Sequence, residues 1–333
     1  MGLRIGSLPI GLSAYSFPWR CGFAGAGTGR VCATPYDAYG LLDAAARLGL
    51  SSVEVPLSML SNLEPATLAA YRSRAEALGL GLACDAAVVD MAEMERFIPA
   101  AAALGAPVLR VMLSATLEGA RGAILGGWEA HLAEMIARLK ALRPLAEAHN
   151  VIIAPENHQD ATTEDLLRVC DEVGGEHIGI TLDAVNPLAV AQEPLAAARA
   201  WGGKIVNVHL KDYVVGFTNS GYRLVRCPLG EGALDLKRLF ALLEDVAPRA
   251  RCHIELAAVY ARHIRIFEPE WWASFPPRDA RELAGVMQLA LRHALPGDAE
   301  WRTPWERGQG AEALWAYEED QMVQSVEFLK RMR

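Results

Sequence analysis

Eight short apolar runs recur along this chain, each followed by a stretch rich in Ala, Leu, Glu and Arg, and no other feature limits the fold so tightly. The runs occupy 10–16, 52–55, 82–86, 108–113, 151–156, 178–183, 205–211 and 252–256. Their short, largely apolar character reads as strands buried on both faces. The segments between them, near 37–48, 65–79, 91–104, 129–148, 163–173, 190–201, 235–246 and 279–293, read as helices. A helix between consecutive strands makes those strands parallel. Eight such units close most simply into an α/β fold of the (β/α)8 TIM barrel type. Local signals agree: Thr34-Pro35 opens the first helix, and the glycines of "RLGL" (47–50) and "ALGLGL" (77–82) end helices before the next strand. An open doubly wound sheet would want a phosphate-binding glycine loop after the first strand. "AGAGTGR" (24–30) is glycine-rich but lacks G-x-G-x-x-G spacing, and no helix follows at once, so it is predicted to be a mobile loop over the barrel mouth. The barrel is assigned to 1–294. Residues 295–333 form a C-terminal helical extension, expected to pack on the barrel or on a partner subunit.

Charge and cysteine usage narrow the function. Lys and Arg total 32 against 40 Asp and Glu, a net charge of −8, which disfavours a polyanionic partner such as nucleic acid and suits a small neutral substrate. The six cysteines are scattered without a CxxC pair, which argues for reduced thiols in a cytoplasm. No apolar run approaches the roughly 20 residues that span a bilayer. The first residues lack the apolar core and cleavage site of a signal peptide, so a mature cytoplasmic chain is expected, with no membrane partner.

The last four strands end unusually. They close as "APENH", "GITLDAVN", "VNVHLKD" and "CHIEL", each bringing an acid or histidine to the tip of an apolar run. Functional groups of such barrels gather at that carboxyl face. Side chains alternate along a strand, so Glu156 and His158 share one face, His209 shares one with Lys211, and Glu255 with His253. Asp183 shares a face with Thr181. Glu156, Asp183, His209 and Glu255 can therefore all point into one mouth. Three bare carboxylates there would repel and raise one another's pKa. A divalent cation removes that cost, and an oxygen-rich set with one nitrogen suits Mn²⁺, Mg²⁺ or Co²⁺.

These segments, with "TLDAVN", "VHLKDY", "PLGEG" and "HIEL" the most specific, resemble the xylose isomerase-like TIM-barrel superfamily, particularly its sugar isomerase/epimerase branch, over roughly residues 8–293. The resemblance implies one catalytic divalent metal, Mn²⁺ in first place, held by Glu156, Asp183, His209 and Glu255. It implies a sugar or keto-sugar substrate and an enediolate, with Glu156 and Glu255 removing and returning the proton. His158, Asn186 and Lys211 are the expected substrate-binding residues. Asn186 stands where several epimerases carry a histidine, so it is assigned to hydrogen-bonding a hydroxyl. A DNA-repair endonuclease of the superfamily needs a histidine there, and the net charge also opposes it.

The same enediolate has three exits. The proton can return to the opposite face of its carbon, or to the adjacent carbon, giving epimerisation or isomerisation. Departure of a β-substituent instead gives a lyase or dehydratase, such as one that cleaves a 3-keto-glycoside. A non-catalytic sugar-binding subunit has no need of three converging carboxylates. A homo-oligomer is expected, and the C-terminal extension leaves a hetero-oligomeric partner open.

Overall fold

The computed structural model describes residues 2–257 and 259–333. A two-residue strand, β1 (Arg4–Ile5), folds back on β2 (Leu8–Ser13). From β2 the chain runs through β3 (Ser52–Pro56), β4 (Gly81–Val88), β5 (Val108–Met112), β6 (Ile152–Glu156), β7 (Ile180–Asp183) and β8 (Ile205–Leu210). A hairpin of β9 (Tyr213–Thr218) and β10 (Gly221–Arg226) intervenes before the last barrel strand, β11 (Arg251–Ile254). Each barrel strand pairs in parallel with the next, β11 pairs with β2, and β2 with β3, so the sheet closes. This is the predicted (β/α)8 barrel.

The surrounding helices are α1 (Ala38–Leu48), α2 (Pro65–Ala77), α3 (Met91–Leu104), α4 (Trp128–His149), α5 (Thr163–Val173), α6 (Pro194–Trp201), α7 (Leu236–Val246) and, after the short α8 (Pro269–Trp272), α9 (Ala280–Arg292). Their ends follow local chemistry. The Asp37 side chain caps the start of α1, and Gly49 ends it with φ +73°. Thr162 and Asp165 form a reciprocal capping box at α5. One contiguous core fills the space between strands and helices, built from inward stripes such as Leu41, Leu42 and Ala45 of α1 and Leu132, Ile136 and Leu139 of α4.

Two features lie outside the barrel rule. A small antiparallel sheet joins β9, β10 and β12 (Arg262–Ile264), and it stands beside the mouth over a second core with Tyr213, Tyr222, Trp271 and Val286. The close seat of β10 requires Gly221: at φ +152°, a Cβ there would come within 2.0 Å of the Ile264 carbonyl oxygen. The other is the extension, which ends in α10 (Ala311–Arg331). Met322, Val326 and Leu329 of α10 enter the main core, and its Glu318 carboxylate accepts the backbone N–H groups of Trp19 (2.7 Å) and Arg20 (3.1 Å). Gln321 and Ser325 bond Arg226 and the Leu229 N–H. The helix thus straps the loop after β2 to the turn before α7. All six cysteines are buried free thiols, and among the described residues no helix is long and apolar enough to cross a membrane.

Candidate metal centre

Strand register brings the four acid and histidine tips together. Asp183 of β7 lies opposite His209 of β8, and His209 opposite His253 of β11. Glu255 sits one inward step beyond His253, fixed where its N–H donates to the Leu210 carbonyl at 3.0 Å. Glu156 closes the ring as the last residue of β6. One ligand atom from each of Glu156, Asp183, His209 and Glu255 lies within 4.8 Å of all the others, and all four residues are buried.

The individual atoms fit a cation. Glu156 Oε1 and His209 Nδ1 are buried without a hydrogen-bond partner, and they face each other at 3.6 Å. Glu255 Oε1 lies 3.5 Å from the same ring nitrogen, too far and too poorly aimed for a hydrogen bond. Buried groups left unmet in this way are costly unless something else meets them. Three carboxylates and an imidazole lone pair converging on one point are a hard-cation donor set. His209 presents Nδ1 to the centre because Nε2 donates to the Glu54 carboxylate, at 2.9 and 3.1 Å to its two oxygens. A carboxylate behind a ligating histidine fixes its tautomer and orientation.

Glu54, within β3, heads a buried polar chain. Its Oε2 accepts from Asn207 Nδ2 (2.7 Å), Asn207 Oδ1 meets His253 Nδ1 (3.0 Å), and His253 Nε2 meets Ser52 Oγ (3.0 Å). Gly11 makes room for it: a Cβ there would come within 2.1 Å of Ser52 Oγ and 2.6 Å of the His253 ring. Burial alone would raise the Glu54 carboxyl, but the His209 ring beside it brings it down to about 2. Burial works against a charged His209, yet Glu54, Glu255 and Glu156 hold its pKa well above the ordinary value.

Two cations complete the floor. Arg110 of β5 donates its Nε–H to Glu156 Oε2, with Nη2 in ion-pair contact with the same oxygen, and its Nη1 lies 2.5 Å from Asp85 Oδ1. Burial pushes Glu156 up, but Arg110 and His209 outweigh it and keep the carboxyl well below its usual range. Lys211 Nζ is 2.5 Å from Asp183 Oδ2 and 2.7 Å from Glu255 Oε2, the latter an ion pair without hydrogen-bond alignment. Burial lifts Asp183 to about 6 despite that lysine.

Above the centre opens a cavity of about 480 Å³, lined by Tyr15, Arg110, His158, Lys211, Glu255 and Arg262 among others. His158 and Lys211, two of the expected substrate residues, are therefore at the cavity wall. The His158 ring is held neutral by burial, its pKa down to about 3. Asn186 is not among the residues that line this cavity. Its N–H and that of Val185 turn in to Asp183 Oδ1, both at 3.2 Å, which starts a short 3₁₀ turn, and its side-chain amide is buried with neither polar atom paired. The glycine loop lies over the mouth as read, tied by Trp19 Nε1 to the Arg30 carbonyl (2.6 Å) and by Arg30 to the Trp305 carbonyl (2.7 Å). Of the aromatics that follow β2, Tyr15 lines the cavity, whereas Phe17 and Trp19 are buried; Trp271 of α8 belongs to the core under the small sheet.

A closed (β/α)8 barrel with three carboxylates and an imidazole converging at its carboxyl face defines a barrel protein with a ready ligand set for a metal ion. The chain belongs to the Xylose isomerase-like TIM barrel family, which it matches over residues 42–272. Among relatives, 3-oxo-isoapionate decarboxylase of Pectobacterium atrosepticum is 29% identical over 253 residues, covering 73% of this chain and 82% of its own length. Among solved structures, D-allulose 3-epimerase from Methylomonas sp. in complex with D-allulose shares the fold with a TM-score of 0.60 at 18% identity, covering 100% of this chain and 99% of that one. A Xylose isomerase-like TIM barrel protein from Mycobacterium smegmatis in complex with magnesium gives 0.58 at 14% identity, covering 87% and 98%.

Proposed function

We propose that this chain is a divalent-metal-dependent lyase that removes CO₂ from a 3-oxo sugar acid. Glu156, Asp183, His209 and Glu255 would hold the ion, which when bound supplies a Lewis acid for the substrate's keto oxygen. One observation carries the choice of reaction. Glu156 has a single free oxygen, because Oε2 accepts the Arg110 Nε–H and lies in ion-pair contact with Nη2, while Oε1 faces the ligand cluster. Exchange between two opposed bases needs a second carboxylate free to carry a proton, and Glu156 has no oxygen to spare for it. Glu255 and Lys211, 2.7 Å apart, remain as one proton-transfer pair at the cavity wall.

Decarboxylation needs only one proton. The bond from the α-carbon to the carboxyl carbon breaks, its electron pair passes toward the 3-oxo group, CO₂ leaves, and the α-carbon then takes up a proton from the Lys211–Glu255 pair. No oxidant or reductant enters the balance. Similarity to a decarboxylase of a 3-oxo acid supports the same direction. The isomerase/epimerase reading keeps one specific support, the Oε1 atoms of Glu156 and Glu255 lying 3.6 and 3.5 Å from His209 Nδ1, so that both carboxylates border the same space.

The deciding experiment follows carboxyl-¹³C-labelled 3-oxo-isoapionate with Mn²⁺- or Mg²⁺-loaded protein in D₂O by NMR. Release of labelled bicarbonate, with one deuterium on the product carbon, is the expected result. A new stereoisomer or an aldose–ketose pair that keeps the label would overturn the lyase assignment in favour of isomerase or epimerase chemistry. Loss of a β-substituent with the label retained would make the chain an eliminating lyase instead.

A further inference from the structure

We infer that Arg262 is the residue that recognises the acid group of the substrate, an inference that rests on the lyase reading above. Arg262 opens β12, which pairs with β10 opposite Leu224 and so carries the guanidinium from the small sheet to the cavity wall. The other two cations of that wall are spoken for. Arg110 is matched by Glu156 and Asp85, and Lys211 by Asp183 and Glu255. Arg262 makes no ion pair among the described residues. Its Nε and Nη1 are both buried and have no hydrogen-bond partner, and its guanidinium carbon lies over the Tyr260 ring, 4.5 Å from the ring centre.

A permanently charged group with unmet buried donors carries a desolvation cost that an entering anion would remove. The geometry specifies the anion further. Nε and Nη1 sit on different edges of the guanidinium, so the unmet donors call for acceptors on two edges, not one compact ion. A sugar acid can offer its carboxylate to one edge and a more distant hydroxyl to the other. His158 adds a third unmet polar atom on the same wall, its Nδ1, for a further hydroxyl. Arg262 thus selects acids over neutral sugars at a point separate from the four-residue centre, and it serves binding and orientation, not proton transfer.

The test compares D-gluconate with its neutral amide, D-gluconamide, by calorimetric titration of Mg²⁺-loaded protein. Both carry the same hydroxyls beside a carbonyl carbon, so they differ only at the acid end, where the amide lacks the charge and one acceptor oxygen. In the wild type gluconate should bind more tightly. Arg262→Gln should weaken gluconate about ten- to a hundred-fold, the range for a hydrogen-bonded charged pair, weaken gluconamide far less and leave Mg²⁺ unchanged. Arg262→Lys should fall between, since a point charge keeps attraction and loses the two-edged fit. Equal gluconate affinity in wild type and Arg262→Gln, or no preference for the acid in the wild type, overturns the inference. Failure of the wild type to bind Mg²⁺ strikes the lyase reading instead, and the same titrations on the metal-free chain still decide Arg262.

Discussion

Replacing Glu54 by Gln should weaken divalent-metal binding about ten- to a hundred-fold while the barrel stays folded. The substitution keeps shape and removes the charge and one acceptor. Glu54 now serves two donors: His209 Nε2 at 2.9 and 3.1 Å, and Asn207 Nδ2 at 2.7 Å. Gln has a single oxygen for both. Asn207 cannot turn its own oxygen toward the new amide without abandoning His253 Nδ1, which lies 3.0 Å from it. The strong, charge-assisted bond behind His209 is therefore lost, and such bonds contribute about 1.5–3 kcal/mol. At about 1.4 kcal/mol per decade that is roughly one to two powers of ten in affinity, the range found for partners that orient a ligating histidine. The assay is titration with Mn²⁺, reading free ion by electron paramagnetic resonance, beside a thermal melt of the metal-free variant. An Mn²⁺ affinity within about two-fold of wild type, in a variant that melts cooperatively, would refute the idea that Glu54 positions His209.

Three further outcomes are expected. His209→Ala should lose most Mn²⁺ binding, whereas Glu255→Gln should stop CO₂ release while retaining part of that binding; wild-type turnover in either, with metal content measured, would remove the residue from the centre. Burial keeps His253 neutral, with its pKa lowered to about 4 from the usual value near 6.5. The unfolded chain then takes up a proton below about pH 6.5 that the folded chain refuses until about 4, so stability is lost as pH falls through that window, by about 2 kcal/mol at pH 5. His253→Gln cannot titrate, and its denaturation midpoint should fall less between pH 7 and 5; an identical acid sensitivity would contradict this. Glu318→Ala, which orphans the Trp19 and Arg20 amides, should destabilise the chain by about 1–3 kcal/mol in denaturant and should act mainly by speeding unfolding. A folding limb slowed as much as the unfolding limb is quickened would count against it.

The barrel was legible because each strand–helix unit announces itself within some 40 residues, through apolar runs and glycine stops. The convergence of Glu156, Asp183, His209 and Glu255 was legible for a related reason: all four stand at the ends of consecutive strands, and the barrel dictates where those ends go. What escaped depends on register across the barrel. Glu54 and His209 are 155 residues apart, and nothing local in either segment says that one backs the other. Arg110 reads as a charge at a strand tip until its fork is seen around Glu156. The β9–β10 hairpin left a local trace, since "YVVGFTNSGYRLVR" alternates about an Asn-Ser-Gly turn. Its pairing with β12 left none, and Arg262 reached the mouth unannounced for that reason.

The strap formed by α10 has a kinetic consequence. The bond between the Trp19 amide and Glu318 joins residues 299 apart, whereas Val53 and Leu82 of neighbouring strands are paired across a short segment. Closing so long a loop early costs entropy that few contacts repay, so the barrel should assemble first and α10 dock afterwards. Contacts made after the rate-limiting step are also the first released on the return path. The mouth would then open as a cooperative unit of its own, exchanging the Trp19 and Arg20 amides with solvent at a lower free energy than global unfolding, while the strands that carry Glu156, Asp183, His209 and Glu255 remain closed.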